Sequence, residues 1–439
     1  MKKLSLFISA LLLLLAVACK KKDAVPVIPT LTTTPASAVT SIAATSGGTI
    51  TADGGSAITA RGICWGTSQN PTTSSSKTVD GTGTGTFTSS ISGLAPSTTY
   101  YARAYATNSV GTAYGNQITI TTLDPKVYVV GYEEISSPTL YSLAKLWSNG
   151  QLTNLTAAPN YAEAFSVFAN GSDVYVAGYE SSGSINVGKF WKNGTATTIT
   201  TPARDGALTS VFVSGTDVYT TGYEANANNT YDIAKIWKNG VATTLAGGIN
   251  TDAYGYSVTV SGTDVYAVVQ EYQSVYDVVK LWKNGTLTTL SNPNTDAYAY
   301  SIAISGSDVY VVGSERVGNV YVPKIWKNGQ GTFLTSGANN GAAYSVFVSG
   351  SDVYVVGSET VGNSNEAARL WKNGTMSTLP TTSTPSAANS VFVQGTDVYV
   401  AGFEYSTSNK PIAVYWKNGT KTQLTNGSNP AGAYSIFVK

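Results

Sequence analysis

The 439 residues contain no histidine, only two cysteines and only two methionines. Without histidine there can be no Ser-His-Asp or Cys-His nucleophile, no imidazole-ligated metal and no imidazole acid/base pair. Charge is scarce as well. Charged residues make up 12% of the chain, 26 basic against 25 acidic, so no basic footprint for nucleic acid exists. What the chain has in quantity is glycine, threonine, serine, valine and tyrosine, a composition suited to strands and turns.

The first residues, "MKKLSLFISALLLLLAVAC", place two lysines before an apolar run that is too short and too early for a spanning helix. This predicts a bacterial export signal over residues 1–18. Ala16-Val17-Ala18-Cys19 resembles the lipobox of bacterial lipoproteins, which implies a lipid on Cys19 and the membrane as a partner. Several acyl chains hold a protein on a bilayer far better than one. Residues 19–26 are expected to be a polar tether, and its lysines and Asp23 resemble surface-export signals of Bacteroidota lipoproteins. With Cys19 lipidated, Cys64 is the only thiol left, so no intrachain disulfide can form. Cys64 stands between Ile63 and Trp65, which predicts a buried structural position.

Residues 27–123 alternate short β-type runs with Gly/Pro/Ser/Asn turns, the pattern of an antiparallel sandwich. "LAPSTTYYARAYATNSVG" (94–111) resembles the end of a fibronectin type III domain, and "ADGGSAITARGICWG" (52–66) a variant common in Bacteroidota surface proteins. The resemblance implies a tyrosine corner at Tyr100 and a spacer or adhesion role without catalytic residues.

Only Asp124-Pro125-Lys126 separates this unit from the remainder, in which one sentence recurs seven times. Trp147, Trp191, Trp237, Trp282, Trp326, Trp371 and Trp416 stand 44 to 46 residues apart. Such a period, built of β-runs without helical periodicity, predicts a β-propeller of seven blades over residues 124–439. Each unit supplies four strands: "AYSVFV", then "VYVVGYE" after an "SGTD" turn, then "AKIWKNG", whose Asn-Gly suits a type I′ turn into "TLTTL". The repeats begin with a second strand at Val127, and "AYSIFVK" (433–439) is a first strand, so this strand is expected to close the ring. The fold class is therefore all-β, a fibronectin type III-like sandwich followed by a seven-bladed propeller. The pattern resembles uncharacterised repeat propellers of bacterial envelope proteins and lacks the WD, kelch and Asp-box signatures.

A glutamate closes the second strand of every copy: Glu133, Glu180, Glu224, Glu271, Glu315, Glu359 and Glu404. Two residues before each tryptophan stand Lys145, Lys189, Lys235, Lys280, Lys324 and Arg369, with Val414 the exception. Cross-strand ion pairs are expected, leaving Glu404 unpartnered and the most available of the seven. The aspartates of the "SG(T/S)D" turns are expected to bond their own backbone.

Ligand-binding candidates lie just before the repeated serine: Phe165, Tyr256, Tyr300, Tyr344 and Tyr434, alongside Thr209 and Asn389. Tyr254 and Tyr298 join them from the adjoining loops. The same loops carry residues that break the repeat, namely Glu163, Arg204, Asp205, Asp252 and Asp296. Aromatic faces beside hydroxyls and amides suit sugar recognition, although such tyrosines also serve to wedge blades together.

No catalytic residue, cofactor or metal is assigned. The expected function is a lipid-anchored protein of the cell envelope, on the outer membrane, whose propeller binds a glycan or another surface protein. Two alternatives stand beside it. One is an architectural subunit of an outer-membrane assembly. The other is a carbohydrate-active hydrolase or lyase using carboxylates such as Asp205, Asp252 and Asp296.

Overall fold

The computed structural model describes residues 25–136, 140–362, 365–383 and 385–439. The expected export signal, Cys19 and most of the tether lie outside the described residues. All regular structure among the described residues is β-strand. The chain forms two compact units, one ending at Leu123 and the other beginning at Asp124.

In the first unit a three-stranded and a five-stranded antiparallel sheet share one core, which includes Ile50, Ile63, Phe87, Ile91, Leu94 and Ile120. The Ala95 amide donates to Tyr100 Oη at 2.9 Å, tying the start of that strand to the turn before it. Cys64 is fully buried and its Sγ–H donates to the Pro71 and Arg103 carbonyls. Burial pushes its thiol up, which keeps it unreactive.

The second unit is a propeller-type array of antiparallel sheets, each of four strands. Sheet one comprises Val127–Ile135, Tyr141–Ser148 and Gln151–Asn154, with Ala431–Val438 as its first strand. Sheet two runs Ala162–Asn170, Asp173–Ser182, Ile185–Lys192 and Thr195–Thr198. Sheets three to seven repeat that order from Gly206, Ala253, Ala297, Gly341 and Ser386.

Each sheet leans on the next through the tryptophan. Trp237 packs on Tyr175 and Ala177 of sheet two, Trp282 on Tyr219 of sheet three, and Trp326 on Tyr266 of sheet four. The series returns to its start, because Trp147 of sheet one packs on Tyr399 and Ala401 of sheet seven. The first strands are also stitched together by the repeated serine. Ser166, Ser210, Ser301, Ser345 and Ser390 each accept the amide of the following first strand, and Ser435 accepts Val167 N–H at 3.2 Å. A lone four-stranded sheet would leave these faces wet, so the repetition is what buries them.

The "WKNG" segment also gains an account. Asn193 (φ 51°) and Gly194 (φ 81°) both adopt the left-handed conformation a type I′ turn needs. Lys192 Nζ then lies 2.7 Å from Asp173, and Asn193 Nδ2 donates to the same carboxylate at 2.8 Å. This arrangement recurs at Asp217, Asp264, Asp308, Asp352 and Asp397. These aspartates, expected to bond their own turn, instead bind the next hairpin. Each is the first residue of a second strand and so lies level with the end of the third.

Six of the strand-ending glutamates make the expected diagonal pairs, among them Glu133–Lys145 at 2.8 Å and Glu315–Lys324 at 2.9 Å. Glu404 corrects the expectation. It is 0% exposed and is held by Lys421 Nζ at 2.5 Å and by the Thr382 amide and hydroxyl at 2.9 Å. The base absent at Val414 is supplied by the fourth strand, where Lys421 sits opposite Trp416.

Candidate functional site

Every first strand carries a bulge at one place. The register slips between Ala164 and Ser166, and likewise in the other six first strands, so that Phe165, Thr209, Tyr256, Tyr300, Tyr344, Asn389 and Tyr434 have no partner on the second strand. A bulge frees one residue from the alternation of faces and re-aims its side chain. In six of the sheets a glycine of the second strand faces the residue before the bulge and lets the two backbones approach; sheet four has Val269 at that place. A Cβ on Gly313 would stand 1.8 Å from the Tyr298 carbonyl oxygen, and one on Gly178 would stand 2.0 Å from that of Glu163.

The re-aimed side chains meet one another around one end of the array. Tyr256, Tyr300 and Tyr344 form a chain of edge-to-face contacts, with centroids 5.7 and 5.3 Å apart. Phe165 and Tyr434 lie 5.5 Å apart, and Tyr434 stacks on Tyr132 at 5.4 Å. The two polar members close the gaps: Thr209 Oγ1 donates to Gly255 O at 2.6 Å, and Asn389 Nδ2 to Ala433 O at 2.9 Å. All seven are half-buried, so each wedges against a neighbour and still presents part of its surface.

Burial pushes the phenols upward. Tyr256 and Tyr132 reach about 12, and Tyr300, Tyr344 and Tyr434 are also raised. At neutral pH this rim therefore offers protonated hydroxyl donors. Burial likewise raises the Glu163 carboxyl, against the hydroxyls of Tyr434 and Tyr179.

The remaining candidates are bound into the scaffold. Tyr254 packs edge-on to Tyr223 at 5.1 Å and donates to Asp232 at 2.8 Å, while Tyr298 packs on Tyr321 at 5.4 Å. Arg204 pairs with Glu224 at 3.3 Å. Asp205, Asp252 and Asp296 accept the amides of Asn186, Asp232 and Asp277, at 2.8, 2.8 and 3.2 Å, each fastening the third strand of the preceding sheet. Among the described residues no group of three or more acidic or cysteine side chains is placed to hold a metal ion.

One set of residues at this rim escapes sequence reasoning. The position five before each tryptophan holds Ser142, Asn186, Asp232, Asp277, Tyr321, Glu366 and Pro411. It is the variable place in an otherwise regular third strand. Tyr321 and Glu366 line a 260 Å³ pocket between sheets five and six, together with Tyr298, Tyr300 and Tyr344.

No family model and no curated protein matches the chain. Among solved structures it is similar to a puromycin-hydrolysing peptidase of Mycobacterium tuberculosis (TM-score 0.47, 13% identity, 67% of this chain and 53% of that one). An acylaminoacyl peptidase of Pyrococcus horikoshii gives a TM-score of 0.45 and 11% identity over 70% of this chain and 52% of that one. TolB of Acinetobacter baumannii gives 0.39 and 12% over 63% and 74%. The chain spans about half the length of the two peptidases.

Proposed function

We propose that this is a lipid-anchored cell-envelope protein whose second unit is a closed seven-bladed propeller that binds a glycan at its tyrosine-lined mouth without transforming it. Residues 1–18 are the export signal, Cys19 the lipid site on the outer membrane, and residues 27–123 a fibronectin type III-like spacer. The observation that carries the reading is the bulge, which in seven first strands turns an aromatic or polar side chain out of the sheet. Half-exposed rings beside fixed hydroxyl donors give a sugar a face to stack on and groups to orient it. Binding rather than hydrolysis is favoured because Asp205, Asp252 and Asp296 each hold a backbone amide, leaving no free acid and base pair among them.

A glycan array followed by calorimetry tests the mouth. Tyr256→Ala and Tyr300→Ala are each expected to weaken saccharide binding by about tenfold or more. Failure of every glycan to bind, or wild-type affinity in the double variant, contradicts the reading. Recovery of a stable membrane-protein partner in place of any glycan would favour the architectural alternative.

Fractionation of cells tests the anchor. Cys19→Ser is expected to abolish acyl labelling and to shift the protein out of the membrane fraction. An unlabelled wild type, or a variant that stays with the membrane, contradicts it.

A further inference from the structure

The pocket between sheets five and six is walled by Tyr298, Tyr300, Tyr321 and Tyr344. Among the described residues that line it, Glu366 is the only ionisable group besides these phenols, and none is a lysine or arginine. Its 260 Å³ suits one small headgroup or one sugar ring rather than an oligosaccharide.

Glu366 differs from the acids that hold the same place in other sheets. Asp232, five residues before Trp237, accepts the Tyr254 hydroxyl of the following first strand at 2.8 Å. Asp277, five before Trp282, accepts Gln270 Nε2 from its own second strand at 2.9 Å. Glu366 has neither donor. The residue matching Tyr254 is Ala387, which has no hydroxyl, and the residue matching Gln270 is Ser358. Ser358 Oγ is itself shared with Tyr344 Oη at 3.3 Å. Among the described residues the Glu366 side chain has no hydrogen bond and no ion pair, although its backbone is paired with Thr360 in the sheet. Its side chain is half-buried but its carboxylate oxygens are not sealed off, so the charge is available to a cation entering the pocket.

We infer that this pocket binds a small organic ammonium ion, held by the faces of Tyr300 and Tyr344 and by the carboxylate of Glu366. Tyrosine faces attract cations through their quadrupole; beside the carboxylate a primary ammonium also donates a charge-assisted hydrogen bond, whereas a quaternary one, having no N–H, is held there by charge alone. The same field repels anions. A neutral sugar ring would satisfy the tyrosines and leave Glu366 uncompensated. The ammonium group can belong to an amino sugar or to a quaternary headgroup of the choline type. The inference rests on the reading of this end of the propeller as a ligand mouth and names the chemistry of the ligand.

Calorimetric titration of the full chain with glucosamine, choline chloride and N-acetylglucosamine at neutral pH tests it. At least one of the two cations is expected to bind. Glu366→Gln, which keeps the side-chain shape, is expected to weaken that cation by about tenfold or more, with N-acetylglucosamine unaffected. Tyr344→Leu is expected to weaken the cation as well, because it removes a ring face and keeps apolar bulk. Preference for glucosamine identifies an amino sugar, and preference for choline a quaternary headgroup. Absence of binding by both cations overturns the inference, as does unchanged cation affinity in a Glu366→Gln variant that melts like the wild type. If N-acetylglucosamine binds and the cations do not, this inference falls while the glycan-binding mouth stands. If no saccharide or cation binds, both fall.

Discussion

Lys421→Met is expected to remove about 3–5 kcal/mol of stability, far more than a surface lysine on a strand ordinarily contributes. The reason is Glu404, which is 0% exposed and whose Oε1 takes Lys421 Nζ at 2.5 Å. Without the lysine, the carboxylate keeps, among the described residues, only the amide and hydroxyl of Thr382. A charge buried without a counter-charge is among the few defects that cost this much. Adding Glu404→Gln to Lys421→Met should restore most of the loss, because an amide needs no counter-ion. Lys189→Met provides the contrast: its pair with Glu180 is longer, 3.6 Å, and both side chains are about a fifth exposed or more. That loss should stay below about 1 kcal/mol. Urea unfolding of the four proteins measures the set. A Lys421→Met midpoint equal to that of Lys189→Met would refute the assignment of Glu404 as a buried, lysine-dependent charge.

The same pair shows how far the sequence carries. Val414 interrupts a column of lysine and arginine, and the interruption is visible from the repeat alone. Its compensation is visible only once strands are registered. Lys421 faces Trp416 where the other sheets have Leu152, Ala196, Ala242, Leu287, Gly331 and Met376. The tryptophan period was legible because a large buried side chain must recur wherever one sheet meets the next. The repeated serine was equally visible, yet its function was not, since its partner amide lies one whole repeat away.

The bulge was hidden for a different reason. One extra residue inside a strand leaves hydrophobic alternation nearly intact on either side, so the sequence marks Tyr256, Tyr300 and Tyr344 as a recurring position before the serine and not the geometry that turns them. Glu366 escaped notice because its significance depends on what its neighbours lack, namely the donors that Tyr254 and Gln270 supply elsewhere. A single position gives no hint of that.

The largest effect of all is expected from removing residues 431–439. Ala431–Val438 supplies the first strand of sheet one, pairing with Val127 to Glu133 of the second strand. Its Ile436 and Val438 share a core with Trp147 and with Tyr399 of sheet seven, and Ser435 accepts the Val167 amide of sheet two. Truncation would strip the strand from both neighbours at once and expose the edge of sheet one. Losing two such buried aliphatic residues and their ladder costs more than about 5 kcal/mol, comparable to the whole stability of many domains. The thermal melt of the protein cut after Pro430 therefore tests ring closure most directly. Closure predicts that the cooperative transition of the second unit disappears. A truncated protein that melts cooperatively at the wild-type temperature would contradict it, and with it the single mouth around which the tyrosines are gathered.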